Sequence, residues 1–148
     1  MSNQQKLHEH ILCLSQSDDW EHARSEWRLY QIYHSETSLT CPCGQYPINE
    51  ICVIVNQFTN VTTEVGNVCV NNFLQIASND LFKSVRYVRE DAGRSFNVAM
   101  IEYAHQQRFI NDWEYKFYND IRRKRALTGR QKEKKIQVNE KILKCITR

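Results

Sequence analysis

Cys41, Cys43, Cys52 and Cys69 place four thiols within a stretch of twenty-nine residues. The first two sit in Cys41-Pro42-Cys43-Gly44, and the last closes Val65-Gly66-Asn67-Val68-Cys69. Clustered thiols at such spacing suit a metal. Zn²⁺ takes four thiolates in a tetrahedron, and a site closed in this way is structural. It leaves no open position for an activated water, so hydrolytic zinc chemistry is not expected. The competing reading makes all four thiols small buried hydrophobes, as free cysteines often are. His34 is the reserve ligand should Cys52 point elsewhere. A Cys41–Cys43 disulfide would be strained. His8 and His10 stand two apart on a helix and face different directions, so they make no site. Cys13 and Cys145 have no partner spacing and read as structural.

The elements that must hold the cysteines can be read around them. Pro42 and Gly44 bend the chain into a small turn whose N–H groups can face the sulfurs. Ile51–Val55 reads as a strand, 57–60 as a turn with Asn60 at positive φ, and Val61–Val65 as the return strand. A helix should open at Cys69, with Val70, Phe73 and Leu74 on one face. Upstream, Leu7, Ile11 and Leu14 mark a helix over 4–16, Ser17-Asp18-Asp19 can end it and cap a short turn or two around Trp20 and Ala23, and Trp27–Tyr33 reads as a strand followed by a polar loop over Ser35–Thr40. Downstream the chain reads as helical. Leu81, Phe82, Val85 and Val88 form one apolar stripe. Ser95 is the expected N-cap of the next helix. Asn111 with Glu114, and Thr128 with Gln131, have capping-box spacing. Trp113, Phe117 and Ile121 read as a core stripe, as do Ile136, Asn139, Leu143 and Ile146.

Turn, hairpin and a helix carrying a ligand in its first turn follow the order of a treble-clef zinc module, and residues 41–77 resemble one. A treble clef draws two ligands from C-x-x-C at the helix start. Here Asn72 stands three after Cys69, which leaves Cys52 as the fourth ligand. The run C-x-C-G, an isoleucine-rich strand, an asparagine turn and V-G-x-x-C-V-x-x-F resembles small zinc-finger proteins of bacteriophages and mobile elements. Trp113-Glu114-Tyr115-Lys116-Phe117-Tyr118, Leu127-Thr128-Gly129-Arg130-Gln131 and Val138-Asn139-Glu140-Lys141-Ile142-Leu143 extend the resemblance over about two-thirds of the chain. It implies a fold and a structural zinc, but no particular activity. The expectation is an α+β protein: a zinc-stabilised β-hairpin module followed by a mainly helical C-terminal half. Its 148 residues suit one domain, organised as an N-terminal helix and strand (1–40), a zinc module (41–77) and a helical part with basic C-terminal helices (78–148).

Charge is the second signal. The net charge is only +3, yet residues 122–148 hold eleven Lys and Arg against two acidic residues, so the remainder is net acidic. Arg122, Arg123, Lys124 and Arg125 end one helix, and Arg130, Lys132, Lys134 and Lys135 open the next. Such a corner suits a phosphate backbone, with salt-dependent affinity and no sequence reading; a merely solvated charged face is the plainer alternative. Asn67, Asn71 and Asn72 are further candidates for phosphate contact. No nucleophile elbow, P-loop, dinucleotide fingerprint or zinc-protease motif is present, so no enzyme is expected. No apolar run approaches a membrane span, and residues 1–6 lack the features of a signal peptide, so a cytoplasmic protein is expected. The leading expectation is a non-enzymatic zinc protein that contacts DNA or RNA through its basic helices. The alternative is a protein-interaction module: a mobile-element inhibitor or adaptor that docks on a host nucleoprotein complex. A homodimer would also accommodate the acidic and basic halves.

Overall fold

A computed structural model describes residues Met1–Arg148. The protein is α+β, with an N-terminal three-stranded antiparallel sheet followed by a mainly helical C-terminal half. The chain divides into two compact units, Met1–Asn79 with Arg148, and Asp80–Thr147.

In the first unit, α1 (Asn3–Cys13) and α2 (Trp20–Ser25) precede β1 (Trp27–Leu39), β2 (Ile48–Asn56), β3 (Thr62–Gly66) and α3 (Asn67–Phe73). Ser2 and Gln5 form a reciprocal cap at the start of α1, which buries Leu7 and Ile11. Strand order is β1-β2-β3. Central β2 buries four successive residues, Ile51 to Ile54, so both of its faces are covered. Ile51 and Val53 cluster with Tyr33, Leu39 and Ile48 on one face. Cys52 and Ile54 project to the other, where Cys52 lies opposite Ile32 and Val65.

A buried carboxylate ties the sheet to the chain before it. Glu26 accepts hydrogen bonds from the Gln16 and Ser17 N–H groups and from the Asn56 side-chain amide. The Asn56 carbonyl oxygen in turn accepts from the Phe58 and Thr59 N–H groups, which shapes the β2–β3 turn. Asn60 takes the expected positive φ of 61°.

The polar segment after His34 is not a loop. β1 continues to Leu39, which pairs with Ile48 after a register shift. Side-chain bonds support this irregular stretch: the Ser35 hydroxyl donates to the Thr37 carbonyl, and the Asn49 amide donates to the Ser35 carbonyl. Polarity misled here because an exposed edge strand needs no apolar residues.

The second unit comprises α4 (Asn79–Glu90), α5 (Val98–Gln106), α6 (Asp112–Arg122) and α7 (Gly129–Cys145). Phe82, Val85 and Val88 of α4, Met100 and Ile101 of α5, Tyr118 and Ile121 of α6, and Val138, Ile142 and Ile146 of the C-terminal stretch are buried. Both anticipated capping boxes form, at Asn111/Glu114 and Thr128/Gln131. Two expectations change. The N-cap of α5 is Asn97, which accepts from the Met100 N–H, while the Ser95 hydroxyl accepts from Lys135. The buried face of α6 is Glu114, Tyr118 and Ile121. Trp113 is 60% exposed and stacks on Phe117. Ile121 is buried as expected, but before it Glu114 and Tyr118 take the core face instead of Trp113 and Phe117.

A polar knot sits inside this unit. The Tyr118 hydroxyl accepts from the Phe96 N–H and donates to the Asn139 carbonyl oxygen. The fully buried Asn139 amide donates to the Ala92 and Arg94 carbonyls. These bonds hold the α4–α5 connection against α7. No helix is long and apolar enough to cross a membrane.

Candidate metal centre and basic cleft

Cys41 and Cys43 lie in a tight turn between β1 and β2. The Gly44 N–H donates to the Cys41 carbonyl, and the Cys41 N–H donates to the Gln45 carbonyl. Gly44 makes the turn possible with φ of 95°, a conformation unfavourable for side-chain-bearing residues. Cys69 comes from the first turn of α3, directly after β3. The sulfurs of Cys41, Cys43 and Cys69 all lie within 4.8 Å of one another, and all three residues are buried.

Three buried thiols so placed could hold a metal ion. Zn–S bonds of about 2.3 Å in a tetrahedron set sulfurs roughly 3.8 Å apart, a separation inside the 4.8 Å within which these three lie. Backbone donors already face the sulfurs. The Gly66 N–H points to Cys41 Sγ and the Gln45 N–H to Cys43 Sγ, each at 3.4 Å. The Cys69 thiol donates to the Cys41 sulfur and, with the Cys43 and Gly66 N–H groups outweighing burial, draws Cys41 down to about 5. The same contact holds Cys69 well above the ordinary thiol range. Metal binding would displace the thiol protons.

Cys52 is not in this group. Gly66, whose missing side chain would face Ile48 and Cys41 Sγ, pairs with Ile51. Cys52 is one residue further on, so its side chain projects from the opposite face. There burial pushes its thiol up to about 12, although a hydrogen bond with Ser78 works the other way. His34, opposite Glu50 at the β1–β2 pairing, does not join the trio either. Sequence spacing alone passed over His10. Burial lowers its imidazole, and the Cys41 charge acts on it in the opposite sense. Its Nε2 lies 2.7 Å from Thr63 Oγ1. The i, i+2 spacing with His8 gave no hint of this, because the relevant neighbour comes from another element.

The asparagines after β3 are mostly engaged inward. Asn67 is buried, and the Asn71 amide donates to the Asn67 carbonyl oxygens and to Ser78. Only Asn72 is exposed.

At the α6–α7 corner of the second unit, Arg122, Lys124, Arg125, Lys132 and Lys135 line one cleft of about 480 Å³, with Ile121, Leu127 and Ile136 as apolar walls. None of the five cations closes a salt bridge. Arg123 and Arg130 are exposed and outside the cleft lining. Lys134 faces away from it, with its ammonium 5.3 Å from the centre of the Trp113 ring. Folding thus divides the eight basic residues of this region: five converge and three do not.

Comparison with known proteins adds no assignment: no family profile, curated protein or solved structure matches the chain.

Proposed function

We propose that this is a non-enzymatic protein, stabilised by a structural zinc, that contacts DNA or RNA phosphates through the α6–α7 corner. The observation that carries the nucleic-acid reading is the convergence on one cleft of five cations, none of which closes a salt bridge. A solvated face disperses like charges, whereas an anion-binding surface concentrates them. The cleft has no aromatic lining to stack a base, so recognition falls on phosphate rather than sequence.

Zinc on Cys41, Cys43 and Cys69 would join the turn before β2, the end of β3 and the start of α3 into a treble-clef-like knot. Three sulfurs fill three corners of its tetrahedron. The fourth ligand would come from outside the trio, since the group holds only these three cysteines. Bound zinc can supply on the order of 10 kcal/mol to a small module.

Binding of a labelled oligonucleotide, followed by fluorescence anisotropy across a salt series, tests the nucleic-acid reading. Five phosphate contacts should weaken affinity several-hundred-fold between about 50 and 200 mM salt. Lys124, Arg125 and Lys132 are exposed, so their joint replacement by Ser should leave the fold intact and flatten the salt dependence. Undiminished binding by that variant would rule the corner out.

A further inference from the structure

We propose that the α6–α7 cleft is a seat for a phosphomonoester, anchored by the Nε and Nη2 edge of Arg122. This deepens the nucleic-acid reading and rests on it. Arg122 ends α6, and its Nε and Nη2 are buried with no hydrogen-bond partner. These two nitrogens form one side of the guanidinium fork, the side that meets two oxygens of a phosphate in parallel. A buried guanidinium edge without an acceptor is costly, and native proteins seldom leave one so. Arg122 also lines the cleft, so a swing of its long side chain would bring that edge to an acceptor bound there.

The arrangement of the remaining cations selects the kind of phosphate. Lys124 and Arg125 come from the connection after α6, and Lys132 and Lys135 from the first two turns of α7. They converge on one volume instead of tracking a line. A phosphodiester strand presents single charges in a row, while a monoester concentrates up to two charges and three acceptor oxygens on one phosphorus. Lys135 is already positioned, its Nζ 3.2 Å from Ser95 Oγ. Burial and the neighbouring Lys132 both disfavour its charge, with only Asp91 opposing them, and a bound dianion would relieve that. The seat would take a strand's terminal phosphate or the phosphate of a free nucleotide.

The test compares two labelled oligonucleotides of one sequence, one ending in a 5′-phosphate and the other in a 5′-hydroxyl, with a 5′-mononucleotide and inorganic phosphate as competitors. The proposal expects at least about tenfold tighter binding of the phosphorylated strand. It expects Arg122→Lys, which keeps the charge but lacks the fork, to erase that preference, read as the ratio of the variant's own affinities for the two strands. Displacement by the mononucleotide at concentrations matching the oligonucleotide would identify the free nucleotide as ligand; displacement by the oligonucleotide alone would identify the strand end. Equal affinity for the two strands would overturn the monoester seat and leave the basic corner standing. A preference that survives Arg122→Lys would overturn the anchor. Binding of neither strand at low salt would overturn both readings.

Discussion

At the scale of single residues, partners brought by other elements decide what each group does. Cys41 and Cys52 are both buried cysteines, yet the surroundings favour the thiolate at Cys41 and the thiol at Cys52. Cys41 faces N–H donors and a second thiol, whereas burial dominates at Cys52. Three of the four expected ligands are in the trio, because turn residues and a helix start announce themselves locally. The face on which Cys52 lies was not legible. Alternation along β2 says that neighbours oppose one another, but only the Ile51–Gly66 pairing shows which side holds the cluster. His10 was hidden for the same reason. Glu26 gives a test at this scale. Burial opposes its charge, but the Asn56 amide and the Gln16 and Ser17 N–H groups prevail and lower its pKa below 4.5. A lowered folded pKa means that the stabilisation is complete above the unfolded value and is lost as pH falls through the folded one. Glu26→Gln should therefore cost about 2 kcal/mol at neutral pH, where charged hydrogen bonds are lost. Urea denaturation should show the gap between parent and variant narrowing below about pH 4.

At the scale of elements, capping and strand chemistry were readable where the signal was local. Both capping boxes of α6 and α7 and the Asn60 turn stand where side-chain chemistry requires them. Errors arose where two residues could play one part. Ser95 and Asn97 both precede α5, and the cap is Asn97, which stands directly before Val98, while the Ser95 hydroxyl accepts from Lys135. Asn97→Ala should consequently destabilise the protein by about 1 kcal/mol in thermal or urea melts, as loss of a cap does. Ser95→Ala should change the melt by less than about 0.5 kcal/mol, as exposed substitutions do. The Trp113–Phe117 pair failed as a core stripe because a helix face is fixed by what packs on it. Tyr118 has the Phe96 N–H and Asn139 to bond, and Trp113 finds Phe117 and Lys134 at the surface.

At the scale of the whole molecule, chemistry is divided between the two compact units. The thiol cluster belongs to Met1–Asn79, and the cation cleft to Asp80–Thr147. Composition foreshadowed the division, since the basic residues crowd toward the C-terminus, but it could not say which five of the eight would converge. Each unit has its own buried side chains, so removal of metal should loosen the first while leaving the α6–α7 corner able to bind. The most direct measurement is metal content by elemental analysis of protein purified without added metal, for the parent, Cys69→Ser and Cys52→Ser. The account requires one zinc per chain in the parent, its loss in Cys69→Ser and its retention in Cys52→Ser. A parent without metal, or zinc that leaves with Cys52 and stays without Cys69, would contradict it.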